Sequence, residues 1–339
     1  MVGKARSAVL RACFAVIPAF LAAGLGFGTG RTEGPRVAPG FIEVCYAVRT
    51  AGGETLACRS YSASGGARGP AVAVGRLGLV AEAQTAGAVP GAIVTTTGFA
   101  VKIVRAGRVH TMARAPADWT LLAVRRVAGR IWTVAENVAK RQDVIGRLGA
   151  NGRWDWVKTP IPAGITTLLR QPSGQLAVAV MSSHRARVLS GKGRPLASVG
   201  GITPQGTVGF AEGKTLVPFA SGSNGFGLAL VAARQVQYQL YPSVYRAVIE
   251  VTDTSPVWGV SPEGMVPFRQ GRFRFSERRR WPRPLPGTIT LVGSGRPWML
   301  VVDGNSQGVW FNVQTGRYGP GFQINTPWPA VVRAIALGS

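Results

Sequence analysis

Short apolar runs separated by turn residues dominate the chain from residue 41 onward. The runs are rich in Val, Ile, Leu, Ala and Phe, and Gly, Pro, Asn or Ser interrupts them at close intervals. Runs of this length bounded by such residues are typical of β-strands, and we find no convincing long amphipathic helix among them. The pattern therefore predicts an all-β protein.

New groups of apolar runs begin at near-constant intervals of 39 to 45 residues. The residues that open successive groups are Leu77, Thr120, Ile165, Thr207, Arg246, Ile289 and Val331. The group from Thr120 holds four strand-like runs: TLLAVRRV, RIWTVAE, DVIGRLG and RWDWVKT. Four short strands in each period of this length are typical of a β-propeller blade. The spacing predicts a β-propeller of about seven four-stranded blades.

The two ends of the repeat region predict how the ring closes. The last apolar run, residues 330–337, opens a further period and stops, while residues 40–75 hold strands but less than a full period. If the C-terminal strand joins the N-terminal hairpin, the two complete one blade and leave no free sheet edge. The alternative is a pair of β-sandwich domains with a boundary near residues 194–205. The even spacing through that region favours the propeller.

The repeat resembles the exported bacterial β-propellers over residues 41–339, at the level of the fold. No subfamily motif recurs in every blade: the Trp154-Asp155 dipeptide stands alone, and the Thr-Gly-basic turn typical of quinoprotein blades occurs once, at residues 313–317. Virginiamycin B lyase-like propellers share the overall size. Resemblance to them would imply a histidine pair and a carboxylate around a metal, but this chain has just His110 and His184, about two blades apart. The resemblance implies a fold and no function.

The first 30 residues have the organisation of a secretory signal. Residues 1–13 carry three basic residues and no acidic one, residues 14–27 are apolar, and small residues follow. An apolar run this short is below the roughly 20 residues of a membrane span. An uncleaved N-terminal anchor is the alternative, and it is the sole membrane attachment that we predict. We expect a linker at residues 31–40, a propeller domain at residues 41–339 and an extracytoplasmic location.

Two of the three cysteines are placed to form a disulfide. Cys45 and Cys58 flank an Ala51-Gly52 turn, and a two-residue hairpin loop there sets the two cysteines opposite each other. Export would permit the bond. The alternatives are two unpaired thiols or a different register.

The net charge of +25, from 39 Lys and Arg against 14 Asp and Glu, predicts attraction to anions. An anionic cell-surface polymer or a protein partner fits this charge, with nucleic acid a less favoured partner. The alternative is that low acid content reflects an acidic habitat, where carboxylates would be protonated.

The strongest local feature is an arginine-rich segment at residues 269–283, with aromatic residues interleaved. Guanidinium groups bind phosphate, sulfate or carboxylate in pairs of hydrogen bonds, and aromatic rings can stack on sugars or bases. On a strand, alternation would put Arg272 and Arg274 on one face and Phe273 and Phe275 on the other. An outer strand with a solvated basic face is the alternative. The predicted anion-binding residues are Arg269, Arg272, Arg274, Arg278, Arg279, Arg280, Trp281 and Arg283.

No motif in the sequence identifies a catalytic reaction, and we predict no cofactor and no metal site. The leading hypothesis is a non-enzymatic binding or scaffold propeller. The competing hypothesis is an enzyme of lyase or glycan-hydrolase type at the mouth of the central channel. It requires two carboxylates, or a histidine and a carboxylate, in one pocket, and the candidate acids are Glu136, Asp143, Glu250 and Asp253. A structural component of a surface assembly is the third possibility.

Overall fold

The computed structural model describes twelve stretches of the chain, and all structural statements below refer to them. They are residues 41–77, 88–89, 92–105, 108–162, 164–221, 225–232, 235–243, 246–283, 290–295, 297–303, 306–325 and 331–338. The predicted signal segment and linker, residues 1–30 and 31–40, lie outside them. No helix within the described stretches is long and apolar enough to cross a membrane.

The strands form seven antiparallel sheets, which are the blades of a seven-bladed β-propeller. Five sheets contain four strands and two contain five, so the expected four strands are not uniform around the molecule. A short 3-10 helix at Phe275–Glu277 interrupts the outer edge of the sixth blade. The alternative of two β-sandwich domains is wrong, because the chain forms seven separate sheets that follow one another as successive blades.

The first three blades cover the N-terminal part of the described chain. Blade 1 contains β1 (Phe41–Thr50), β2 (Gly53–Tyr61), β3 (Ala67–Arg76) and the C-terminal strand β30 (Val331–Gly338). Blade 2 contains β4 (Ala88–Val89), β5 (Ala92–Thr96), β6 (Ala100–Arg105) and β7 (Arg108–Arg114). Blade 3 contains β8 (Trp119–Val127), β9 (Arg130–Asn137), β10 (Gln142–Leu148) and β11 (Trp154–Trp156).

Blades 4 and 5 follow without a break in the pattern. Blade 4 contains β12 (Ile165–Arg170), β13 (Leu176–Ser182), β14 (Arg185–Ser190) and β15 (Pro195–Gly200). Blade 5 contains β16 (Thr203–Pro204), β17 (Gly209–Ala211), β18 (Lys214–Ser221), β19 (Gly225–Ala232) and β20 (Gln235–Tyr241).

Blades 6 and 7 complete the set. Blade 6 contains β21 (Glu250–Val251), β22 (Trp258–Ser261), β23 (Gly264–Arg269), β24 (Arg272–Phe273) and β25 (Arg279–Arg280). Blade 7 contains β26 (Thr290–Gly295), β27 (Trp298–Val302), β28 (Gln307–Asn312) and β29 (Arg317–Gln323).

The first strand of a blade lies nearest the propeller axis, and the last lies at the outer edge. The strand β8 contacts both β5 and β12, which belong to the blades on either side of it. The last strands β7, β15 and β20 are mostly exposed along their length. The C-terminal strand β30 pairs with β1 and contacts β26 and β4, so it takes the innermost position in blade 1.

The hydrophobic core is divided among the interfaces between blades. Seven clusters of buried apolar side chains each join residues of two adjacent blades. The cluster between blades 7 and 1 includes the largest fully buried side chain, Trp310, whose indole Nε1 donates to the Ala63 carbonyl at 2.9 Å. Each blade is therefore held chiefly by its two neighbours.

The predicted disulfide is confirmed. Cys45 and Cys58 are direct partners across the β1–β2 hairpin, the hairpin turns at Ala51 and Gly52 as expected, and the two sulfur atoms are bonded. Both cysteines are fully buried in the cluster between blades 1 and 2.

We expect loss of this disulfide to destabilise the fold, because the bond closes a loop with a sequence separation of 13. Constraining a loop of this size in the unfolded chain contributes about 3 kcal/mol. The Cys45→Ala/Cys58→Ala variant should lose about this much free energy of unfolding in urea. An unchanged unfolding curve for the double variant, or for the native protein under reducing conditions, would contradict the expectation.

Candidate anion-binding site

The arginine-rich segment lies at the outer edge of blade 6, away from the propeller axis. Its chain leaves β23, turns, pairs with β23 again as β24, forms the 3-10 helix and returns as β25. Because β24 and β25 pair with opposite ends of β23, the outer strand of this blade is split in two.

Two phenylalanines of the segment explain the split. Phe273 is buried in the cluster between blades 5 and 6 and meets Phe268 edge-on, with ring centroids 5.0 Å apart. Phe275 packs against the same cluster and meets Tyr241 at 5.3 Å. The predicted alternation holds for exposed Arg272 and buried Phe273, but it ends there because the helix begins at Phe275.

A carboxylate from the neighbouring blade fixes the turn before β24. The two oxygens of Glu212 accept hydrogen bonds from the backbone N–H groups of Gln270, at 2.9 Å, and Gly271, at 2.7 Å. Both turn residues have positive φ, 52° and 74°. The charged acceptor satisfies two N–H groups that the turn would otherwise leave to water.

Four of the seven arginines are engaged within the protein. Arg278 pairs with Glu263, and Arg269 pairs with Glu277 at 3.3 Å. Arg274 donates to the side-chain oxygen of Gln270.

Arg283, the fourth, crosses to blade 7. Its guanidinium donates to the carbonyls of Gly308, at 3.3 Å, and Phe322, at 3.2 Å, and the side chain is half-buried. Trp281 is also half-buried: it packs against Tyr318 with centroids 5.5 Å apart and donates to the Ser261 carbonyl at 3.1 Å. These two residues join blades 6 and 7.

The remaining three arginines lie along the outer edge of blade 6, Arg272 beside one end of β23 and Arg279 and Arg280 beside the other, and we name these three residues the outer arginine patch. All three are exposed, and their side chains make no ion pair or hydrogen bond with any residue in the described part of the chain. Arg279 is held in place by its backbone, since its carbonyl accepts the Tyr318 hydroxyl at 2.7 Å. Three free guanidinium groups on an ordered edge can bind phosphate, sulfate or carboxylate groups bidentately.

A second charged feature lies at the propeller axis. Arg125, on the innermost strand of blade 3, pairs with Asp253, which follows the innermost strand of blade 6. The same guanidinium donates to the Leu168 carbonyl of blade 4 at 2.7 Å. The two charged side chains are about a quarter to a third exposed, at 27% and 30%. Their contact spans the axis, because blades 3 and 6 are as far apart as two blades of seven can be.

Among the described residues near the axis, Glu250 is the carboxyl whose pKa is shifted most from its ordinary value. It lies on the innermost strand of blade 6, it is half-buried, and no hydrogen bond or ion pair engages its side chain there. Burial raises the pKa of Glu250 to about 8. The inner strands pack closely around Glu250. A Cβ added to Gly206 of blade 5 would lie 2.9 Å from the Glu250 Cγ.

The remaining candidate acids and the histidines are distributed over several blades. Glu136 and Asp143 are direct partners across β9 and β10 of blade 3. His110 lies on the outer strand of blade 2, and His184 lies in the turn between β13 and β14 of blade 4. Among the described residues, no group of three or more His, Cys, Asp and Glu side chains could hold a metal ion.

The ion pair across the axis had no signal in the sequence. Asp253 was one of four candidate acids, and nothing in the sequence distinguished Arg125 from the other basic residues. The two are 128 positions apart, so their contact depends on the assembled arrangement of blades.

A solved structure with a TM-score of 0.50 supports the fold. A streptogramin B lyase structure matches with a TM-score of 0.50 and 14% identity, over 74% of this chain and 86% of that one. A protein of unknown function from Bacteroides caccae matches with a TM-score of 0.47 and 13% identity, over 88% and 98% of the two chains. Apo AztD from Citrobacter koseri matches with a TM-score of 0.44 and 9% identity, also over 88% and 98%. No family model and no curated protein matches the sequence.

We expect Glu250 to make stability depend on pH. Its folded-state pKa, about 8, exceeds the ordinary value of about 4.3 that applies to the unfolded chain. The folded protein therefore binds more protons between these values, and the free energy of unfolding falls as pH rises from about 4.3 to about 8. Glu250 is half-buried, and screening by the solvent that reaches it limits the fall to about 3 kcal/mol. Urea unfolding of Glu250→Gln across this range should show a much smaller dependence.

The exposed carboxyl Asp155, on blade 3, offers a matched control. Asp155→Asn should keep the slope of the native protein between pH 5 and pH 8, since a surface ion pair contributes about 1 kcal/mol at most. An undiminished slope in Glu250→Gln would show that other groups cause it.

Proposed function

We propose that the protein is an exported binding or scaffold propeller that engages an anionic polymer through the outer arginine patch. The observation that carries this proposal is that the arginines of residues 269–283 fall into two groups, one bonded within the protein and one exposed. Four of the seven arginines are engaged in ion pairs or hydrogen bonds within the protein. Arg272, Arg279 and Arg280 remain exposed without a partner in the described chain. A polymer fits better than a small molecule because the patch runs along an outer edge and presents repeated charges to it.

The surroundings of the patch support binding without a large ordering cost. The Glu212 contacts fix the turn before Arg272, and the Tyr318 contact fixes the backbone at Arg279. A surface that is already ordered loses less conformational entropy when it binds.

The disulfide supports an extracytoplasmic location, because disulfides persist in oxidising compartments. The net charge of +25 supports an anionic partner, since a positive electrostatic field attracts the negative groups along a polymer. The predicted export signal completes this proposal, although its residues lie outside the described stretches.

We expect the native protein to bind heparin, as a model sulfated polysaccharide, with an affinity that falls as salt rises. Exposed charges are screened beyond about 8 Å at physiological ionic strength. The Arg272→Gln/Arg279→Gln/Arg280→Gln variant should bind about tenfold or more weakly at low salt, because a loss of about 1.4 kcal/mol corresponds to tenfold. Titration over a salt series measures both effects.

The matched control replaces three exposed arginines on other blades: Arg108, Arg153 and Arg194. It carries the same total charge as the patch variant and should retain most of the affinity. Equal losses in the two variants would mean that net charge alone drives binding. No binding by the native protein at low salt would end the proposal.

We also propose that the ring of blades is closed through blade 1. Two observations support closure: the pairing of β30 with β1, and the buried cluster that joins blades 7 and 1. Between these blades the Tyr61 hydroxyl donates to the Asn325 carbonyl at 3.0 Å, in addition to the Trp310 contact.

Truncation after residue 330 tests closure. Removal of β30 exposes the edge of β1, whose unpaired N–H and C=O groups would recruit other chains. We expect the truncated protein to self-associate and to unfold at lower urea concentration, whereas truncation after Gly338 should change neither property. Light scattering with urea unfolding measures both. A monomeric truncated protein with native stability would contradict closure through β30.

A further inference from the structure

A basic cavity on blade 4 is not part of the outer arginine patch. Its volume is about 410 Å³, within the range of small-molecule sites. It lies at the end of the β13–β14 hairpin, on the side that faces blade 3. Residues that line it include Pro162, Val180, Ser182, His184, Arg185 and Arg187.

The register of the hairpin directs both arginines toward this cavity. Ser182 pairs with Arg185, and Val180 pairs with Arg187, so two adjacent cross-strand pairs contribute to the wall. The strand alternates, and the intervening Ala186 is buried in the cluster between blades 4 and 5. Arg185 and Arg187 therefore share the face on the opposite side, toward blade 3.

The two guanidinium groups are uncompensated in the described part of the chain. No ion pair or side-chain hydrogen bond engages Arg185 or Arg187 there, and no acidic residue lines the cavity. Arg187 is half-buried. A charge removed from part of its water without a partner is unfavourable, and a bound anion would relieve that cost.

We propose that this cavity binds a small phosphate monoester. The monoester carries a charge of about −1.5 to −2 at neutral pH and three strong acceptor oxygens, which match two guanidinium groups better than one carboxylate does. The His184 ring, exposed at the cavity, supplies a further hydrogen-bonding group, whereas the Ser182 hydroxyl already donates to the Arg185 carbonyl at 3.3 Å. Val180 and Pro162 supply apolar surface for the organic part of the ligand.

The size of the cavity argues for a small ligand instead of a polymer. A cavity of about 410 Å³ accommodates a phosphate and a few carbon atoms. Its walls come from the β13–β14 hairpin, from Pro162 before blade 4 and from Gly201 after β15. The proposal does not depend on polymer binding at blade 6, because the two sites share no residue.

Isothermal titration of the full chain with glycerol 3-phosphate tests the proposal. We expect saturable binding with one site per chain. Arg187→Gln should weaken it at least tenfold, because it removes a charge-assisted bidentate contact. Arg187→Lys keeps the charge but loses the planar fork, and it should weaken binding to a smaller extent.

The matched control is Arg194→Gln, an exposed arginine in the turn at the opposite end of the same blade. It should bind as the native protein does, and so should the triple variant of the outer arginine patch. Circular dichroism and urea unfolding establish that each variant is folded. A weakened patch variant would place the ligand at blade 6 and overturn this site.

Competition identifies the ligand class. Inorganic phosphate should displace glycerol 3-phosphate, and acetate at the same concentration should not. Stronger displacement by citrate than by phosphate would overturn the monoester in favour of a polycarboxylate. No saturable binding at millimolar concentration, or equal affinity in native protein and Arg187→Gln, would overturn the proposal as a whole.

Discussion

The structure depends on one constraint: each sheet must bury both of its faces against the blades on either side. The middle strands show this directly, since five consecutive residues of β13, Leu176–Val180, are buried, where a sheet with one wet face would alternate. Because the seven clusters occupy the interfaces, polar chemistry is confined to the turns, the outer strands and the axis.

That confinement explains where the arginines are found. On the outer edge of blade 6 the chain can leave the sheet, form a helical turn and return, because only one face of β24 and β25 is needed for packing. The resulting irregular edge holds some arginines in ion pairs and leaves others exposed. At the axis there is no such freedom, and Arg125 meets Asp253 across a space bounded by inner strands. The same side chain thus has different roles, depending on the strand position from which it projects.

The repeat, the blade number and the disulfide could be predicted from the sequence because each depends on local pattern. A period of 39 to 45 residues fixes how often a new blade begins, and a two-residue turn fixes which residue faces Cys45. The split outer strand of blade 6 could not be predicted, because it depends on Phe273 and Phe275 reaching a cluster shared with blade 5. The surroundings of Arg187 could not be predicted either, since the cavity forms where the β13–β14 hairpin meets two segments distant in sequence, at Pro162 and Gly201.

The two arginine surfaces differ in a physical property that follows from their positions. Arg272, Arg279 and Arg280 are exposed at an edge, where water and salt screen each charge. Each arginine therefore attracts one anionic group weakly, and the attraction becomes appreciable when many such contacts add together. Arg187 is half-buried beside an apolar wall, where screening is weaker and a single phosphate interacts more strongly. This difference in exposure suits the exposed edge to a ligand with many charges, each bound weakly. It suits the cavity to a single ligand of matched charge. The two proposed sites would therefore select different anions, because their environments differ even though both present guanidinium groups.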